Sequence, residues 1–142
     1  MPDIILVSGG FDPIHSGHIK LINDASTYGD VVVLLNSDAW LRNKKGKEFL
    51  SFDERKIIMQ NIKGVLDVLD FDDSDQSCVD GILKAKNLFQ NNIIKFANGG
   101  DRNPNTTPEK EFCDKNNIET LFGIGGNDKS NSSSWILKKW KE

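Results

Sequence analysis

Apolar residues fall in short blocks separated by longer stretches with helical spacing. Ile4–Val7 is a brief, mostly β-branched run and reads as a buried strand. Val31–Leu35, Val65–Leu69, Ile93–Ala97 and Ile118–Phe122 read the same way. Between them the period changes. Ser16 to about Tyr28 predicts a helix with Ile19, Ile22 and Ala25 on one face and Gly29 at its C-terminal end. Ser51-Phe52-Asp53-Glu54 is a capping box ahead of Ile57, Ile58 and Ile62. Ser77 to about Gln90 predicts a helix weakened at Gly81. Thr107-Pro108-Glu109 starts a short helix, with threonine as cap and proline at the first helical position. Ser132 to Trp140 is the last.

The rest reads as connections. Trp40–Leu50, with Arg42, Lys44, Lys45, Gly46 and Lys47, predicts an exposed basic loop; Asp72–Asp75 an acidic turn; Asn98–Asn105 and Gly123–Asn131 two further loops. Alternation of strand and helix throughout predicts an α/β fold, a parallel sheet covered on both faces. The expected architecture is a Rossmann-like, doubly wound five-stranded sheet in one domain spanning residues 1–142. Such sheets hold ligands beyond the carboxyl ends of the strands, where strand order reverses, and the turn after the first strand is the usual place.

Composition narrows the class. An apolar content of 37% supplies one core, and a net charge of −3 argues against non-specific nucleic-acid binding. Lysines cluster only at Lys44-Lys45 and at Lys138, Lys139 and Lys141. No apolar run is long enough to span a membrane, and the first residues lack a secretory pattern. The expectation is a cytoplasmic protein with neither a membrane nor a nucleic-acid partner. Cys78 and Cys113 fit no metal or redox spacing and are expected as reduced thiols in or near the core. Asn105-Thr106-Thr107 and Asn131-Ser132-Ser133 match a glycosylation acceptor pattern but read as polar loops.

The chemistry concentrates after the first strand. Both histidines of the chain, His15 and His18, lie there, behind Gly9-Gly10-Phe11-Asp12-Pro13. The glycines allow unusual dihedrals and close approach of a ligand. A helix starting near Ser16 offers unpaired N–H groups and the positive end of its dipole to a phosphate. Residues three apart on a helix are neighbours, so both imidazoles can face one anion, with Gly17 keeping the space between them clear. Two unrelated histidines, one a cap and one in the core, would be the bland alternative.

The run Gly9-Gly10-Phe11-Asp12-Pro13-Ile14-His15-Ser16-Gly17-His18 resembles the signature of the cytidylyltransferase-like nucleotidyltransferases, whose His-x-Gly-His motif binds and activates a nucleoside triphosphate. Asn36-Ser37-Asp38, Lys45-Gly46, Arg55, Gly99-Gly100-Asp101 and Ser132-Ser133-Ser134 are similar to the sugar-phosphate and polyol-phosphate members, in the same order along the chain. The likeness is greatest to the heptose 1-phosphate adenylyltransferase type, then to the glycerol-3-phosphate cytidylyltransferase type.

That resemblance implies a reaction and a set of roles. A phosphate oxygen of the acceptor attacks the α-phosphorus of the triphosphate, and pyrophosphate leaves. His15, His18 and Lys45 (or its neighbour Lys44) act catalytically. Gly9, Gly10, Phe11, Asp12, Gly17, Gly99, Gly100, Asp101, Ser132, Ser133 and Ser134 bind the nucleotide. Asn36, Asp38 and Arg55 meet the acceptor. Mg²⁺ accompanies the nucleotide, with no metal ligand assigned beyond a possible part for Asp12. A homodimer is implied, as is sugar-phosphate activation for surface-glycan synthesis.

Some positions depart from the pattern. Asn98 stands where the heptose enzymes typically carry lysine, and Asn127 where the polyol-phosphate enzymes carry arginine. The serine run replaces Ser-Thr-Thr. The transferred group, AMP or CMP, therefore stays open, as does the acceptor, glycerol 3-phosphate with CTP included. A nucleotide-binding regulatory or assembly module without turnover is the alternative from another class. Gly123-Ile124-Gly125-Gly126 nearly matches a dinucleotide fingerprint, but Asp128 replaces its third glycine and too little chain follows, so a nicotinamide-dependent oxidoreductase is rejected.

Overall fold

The computed structural model describes residues 2–99, 107–125 and 133–141, and all side chains among them except those of residues 98, 99 and 134. Five parallel strands form one sheet: β1 (Ile4–Gly9), β2 (Asp30–Leu35), β3 (Val65–Leu69), β4 (Ile94–Gly99) and β5 (Glu119–Ile124), in the order β3-β2-β1-β4-β5. Pairing is in register along β1 and β2, from Ile4 opposite Asp30 to Gly9 opposite Leu35. The helices are α1 (Ser16–Ser26), α2 (Asp38–Lys45), α3 (Phe52–Gln60), α4 (Val79–Leu88), α5 (Pro108–Lys115) and α6 (Ser133–Lys141).

Alternate residues of the buried strands serve two cores. Ile4, Leu6, Val32, Leu34 and Phe96 pack with Ile82 and Ala85 of α4 and Cys113 of α5. Ile5, Val7, Val31, Val33 and Leu35 pack with Ile22 and Ala25 of α1 and Met59 of α3. The sheet is thus covered on both faces, as strand–helix alternation requires. Both cysteines are buried in the first core and are not joined in a disulfide. Among the described residues no helix is long and apolar enough to cross a membrane.

Four local expectations are corrected. The basic stretch after Trp40 is not a loop: Asp38–Lys45 forms α2, capped by the Ser37 hydroxyl, which accepts from the Trp40 N–H at 3.1 Å. Serine is a strong cap, and the basic residues Arg42, Lys44 and Lys45 lie in the last turn, where they oppose the helix dipole. The first helix ends at Ser26, and Gly29 is not its terminator. A β-carbon at Gly29 would lie 2.2 Å from the Asp3 carbonyl oxygen, so glycine there lets β2 start beside the segment preceding β1. Gly81 is not merely a weak point of its helix: a β-carbon there would sit 3.0–3.2 Å from Phe71 and Leu34, so glycine lets α4 close on the sheet. Finally, Ile19 and Ile57 are exposed, at 36% and 58%; Ile22, Ala25 and Met59 supply the buried contacts of α1 and α3.

Strand order reverses at β1. The chain runs outward through β2 and β3, then returns to place β4 on the other side of β1. The crevice at the carboxyl ends of β1 and β4 is where a doubly wound sheet leaves room for a ligand.

Candidate active site

The turn leaving β1 opens onto that crevice. A β-carbon on Gly10 would approach Leu41 of α2 to 2.7 Å, so glycine gives α2 its seat against the turn. Neither Gly9 nor Gly10 has a positive φ; the left-handed residue is Phe11, at φ 49°. The glycines supply space rather than the unusual dihedral. The Phe11 ring is 4% exposed and meets His18 edge-on at 4.8 Å, so its side chain supports a histidine instead of lining a ligand surface.

The two histidines build the start of α1 themselves. His15 is the N-cap, and its Nδ1 accepts from the Gly17 N–H at 3.0 Å. His18 Nδ1 accepts in return from the His15 N–H at 3.3 Å. This is a capping box in which imidazoles replace the usual hydroxyl and carboxylate. An imidazole that accepts at Nδ1 carries its proton at Nε2 when neutral. Each ring therefore presents an N–H donor on the side away from the backbone it caps. The rings stack 3.8 Å apart at 29°, which puts both donors at one helix N-terminus.

Burial drives the His18 pKa down to about 3, helped by the charges of His15 and Lys45. His18 is thus a neutral donor throughout the ordinary pH range. Lys45, at the end of α2, donates to the Asp12 carbonyl and lies 3.6 Å from the Asp12 carboxylate. Lys44 instead lies over the Trp40 ring at 4.9 Å. Of the two lysines, Lys45 is the one brought to the histidine turn.

Asp12 is 2% exposed, and its two carboxylate oxygens accept from the Phe49 and Leu50 N–H groups at 2.6 and 2.7 Å. The carboxylate thereby pins the segment after α2 to the turn. Among the described residues no three His, Cys, Asp or Glu side chains gather as a metal site.

Arg55 departs furthest from expectation. Its side chain is 1% exposed. Nε donates to Leu50 O at 3.0 Å, Nη1 to Gly10 O at 3.0 Å and Asn36 O at 2.8 Å, and Nη2 to Asp38 Oδ1 at 2.7 Å. A guanidinium so occupied ties the turns after β1 and β2 together and does not reach out for an acceptor phosphate. Asn36 and Asp38 are held in the same web rather than presented to an acceptor: Asn36 is 6% exposed and donates to Asp73 at 3.1 Å.

Asp73 carries no site signal in the sequence, where Asp72–Asp75 reads as an acidic turn. It is 6% exposed and also accepts from the Ser37 N–H at 2.8 Å and the Ser37 hydroxyl at 2.7 Å. A serine that caps a helix while donating to a buried carboxylate orients α2, and hence Lys45.

The last helix closes the constellation. The Ser133 hydroxyl donates to the Pro13 carbonyl at 2.7 Å, which brings the start of α6 against the turn carrying His15. Two helix N-termini, α1 and α6, thus converge on one place, each contributing N–H groups and a positive dipole end. Gly17 lies in the first turn of α1, and Gly99 ends β4 on the neighbouring strand. Gly100, Asp101, Ser132 and Asn127 lie outside the described residues, as do the side chains of Asn98 and Ser134.

The chain is similar to several known proteins. Bifunctional protein HldE of Geobacter metallireducens is 31% identical over 98% of this chain, which spans 28% of that protein's length. Glycerol-3-phosphate cytidylyltransferase of Bacillus subtilis is 32% identical over 68% of this chain and 70% of its own. The lipopolysaccharide core biosynthesis protein of Thermoplasma volcanium shares the fold at a TM-score of 0.66 and 19% identity, covering 86% of this chain and 96% of that one. A putative nicotinate-nucleotide adenylyltransferase of Vibrio parahaemolyticus does so at 0.60 and 15%, covering 97% and 86%. The model of the Cytidylyltransferase-like family matches residues 6–126, from β1 through the end of β5, and the chain belongs to that family.

Proposed function

We propose that the chain is a nucleotidyltransferase that moves AMP or CMP from a nucleoside triphosphate to a small phosphorylated sugar or polyol. An acceptor phosphate oxygen forms the new bond to the α-phosphorus, the bond to the β-phosphate bridging oxygen breaks, and pyrophosphate leaves. The observation that carries this reading is the histidine capping box. Two imidazoles, each turned with Nδ1 to the backbone and stacked at a helix N-terminus, suit an anion whose charge grows during reaction. Lys45 adds a full positive charge beside them. Phosphoryl chemistry of this kind needs placement and charge neutralisation more than covalent help, and these groups supply both.

Mg²⁺ enters bound to the triphosphate in this reading. Gly99, Gly100 and Asp101 after β4 serve the nucleotide, and Ser132, Ser133 and Ser134 bring the N-terminus of α6 to its outer phosphates. Arg55, Asn36 and Asp38 act as positioning residues. The protein works in the cytoplasm as a homodimer, in activation of sugar phosphates for surface glycans. The relative named glycerol-3-phosphate cytidylyltransferase supports a polyol phosphate, and the resemblance of the sequence motifs to the heptose 1-phosphate adenylyltransferase type supports a sugar phosphate.

The test is a pyrophosphate-release screen crossing four nucleoside triphosphates with sugar 1-phosphates and polyol phosphates in Mg²⁺. Release that requires one nucleotide and one acceptor is expected. Nucleotide binding with no release for any pair would leave a binding module without turnover.

A further inference from the structure

A cavity of about 250 Å³ lies between the segment after α2 and the last helix. Lys45, Lys47 and Phe49 line it on one side, and Lys138, Trp140 and Lys141 on the other. Phe49 and Trp140 meet edge to face across it at 6.3 Å, yet they stay 49% and 74% exposed. Two large aromatic side chains left open among lysines are an unusual use of surface, since burying them would be favourable.

The cavity is fixed relative to the histidines from both sides. Phe49 hangs from the Asp12 carboxylate by its own N–H at 2.6 Å. Lys45 lines the cavity and donates to the Asp12 carbonyl. The opposite wall, α6, is tied by Ser133 to the Pro13 carbonyl at 2.7 Å. A ligand seated here lies beside the turn that would hold the triphosphate.

Charge and shape restrict that ligand. Among the described residues Glu48 is the one acid in the lining, and Arg42 already holds it at 2.7 and 3.2 Å. The remaining field is cationic and favours an anion. The volume falls below the roughly 300–1,000 Å³ of pockets that enclose drug-sized ligands, too little for a nucleoside triphosphate. Aromatic faces carry negative quadrupole density and accept the polarised C–H groups of a sugar ring. Lysines accept phosphate as mobile point charges. A short acyclic polyol phosphate satisfies the lysines and leaves the aromatic pair unused.

We propose that this cavity is the acceptor subsite and that it selects a cyclic sugar phosphate over an acyclic polyol phosphate. The sugar ring rests on Phe49 and Trp140, and the lysines hold its anionic group. The assignment of the cavity to an acceptor rests on the nucleotidyl-transfer reading; its preference for a ring stands on the aromatic pair.

Calorimetric titration of the full chain with glucose 1-phosphate, mannose 1-phosphate, ribose 5-phosphate and glycerol 3-phosphate, without nucleotide, tests the site directly. At least one sugar phosphate should bind more tightly than glycerol 3-phosphate. Trp140→Ala and Phe49→Leu should each weaken that binding about five- to tenfold, with nucleotide affinity unchanged. Lys138→Ala combined with Lys141→Ala should weaken it a few-fold, less so at high salt. Equal binding of glycerol 3-phosphate, or sugar-phosphate binding indifferent to both aromatic variants, overturns the proposal. Sugar-phosphate binding that depends on Trp140 in a chain releasing no pyrophosphate would keep the subsite and remove the transfer reading. Pyrophosphate release with an acceptor KM indifferent to Trp140 would do the reverse.

Discussion

The turns after β1 and β2 are adjacent in the sheet and both carry polar residues, yet they use those residues differently. After β1, His15 and His18 each turn one ring nitrogen, Nδ1, to the backbone at the start of α1. After β2, Asn36, Ser37 and Asp38 direct their polar groups inward, to Asp73 and Arg55. In the proposed reading the first turn acts on a ligand and the second holds the first in place. Burial and the number of partners separate the two roles where residue type does not: an arginine in a phosphate site invites a clamp, and 1% exposure with four protein acceptors refutes it.

Arg55 offers the hardest test of that division. Arg55→Met leaves the Gly10, Asn36 and Leu50 carbonyls and the Asp38 carboxylate without their donor. Removing one partner of a buried ion pair typically costs about 3–5 kcal/mol, so denaturant unfolding should shift by an amount of that order. A variant of wild-type stability whose acceptor KM alone rises would place Arg55 in contact with substrate and erase the contrast between the turns. Next in size is His18→Ala. Losing one preorganised donor should lower kcat about 100-fold, equivalent to about 2.7 kcal/mol, in a protein that still folds. Undiminished kcat in that variant would remove His18 from the chemistry.

Acid should expose the same difference. A His18 pKa near 3 in the folded protein, against 6.5 when unfolded, means the unfolded chain binds the extra proton first. Stability is therefore complete above about pH 6.5 and falls with pH down to about 3. Between pH 7 and pH 5 the loss from this one group is roughly 2 kcal/mol. Carboxylates held low by their partners, such as Asp70 beside Lys84, lose their contribution only at more acid pH. His18→Asn should flatten the slope between pH 7 and pH 5, which chemical denaturation at several pH values would measure. An unchanged slope would mean that the imidazole is not buried neutral as the capping box requires.

Much of this was legible along the chain, for identifiable reasons. Ile4–Val7 and Val31–Leu35 declare themselves as strands because a parallel sheet buried on both faces needs continuous apolar runs. Thr107-Pro108 marks a helix start because its signal is local. The stretch after Trp40 misleads because four of the seven residues 41–47 are basic, while the cap that makes it helical, Ser37, depends on Asp73, distant in sequence. The histidines were legible as a pair but not as a capping box, since nothing in a spacing of three tells which ring nitrogen faces the backbone. Arg55 and Asp73 were misjudged for one reason: burial of a charged residue is set by partners that only the fold assembles.

The smallest effect belongs to Ser133, and it bears on whether the second helix end is part of the site at all. Its hydroxyl proton is committed to the Pro13 carbonyl, so the residue does two things at once: it starts α6 and docks that start against the histidine turn. A single neutral hydrogen bond is worth about 0.5–1.5 kcal/mol net, which is close to tenfold at most in an equilibrium. Ser133→Ala should therefore raise the nucleotide KM by a few-fold and leave kcat nearly unchanged. Ser133→Thr, which keeps the hydroxyl, should restore the KM. If alanine and threonine both leave KM at the wild-type value, α6 does not help to hold the nucleotide, and the phosphate site reduces to the turn after β1 with Lys45. If alanine lowers kcat as far as His18→Ala does, the hydroxyl takes part in the chemistry, and Pro13 is only its resting partner.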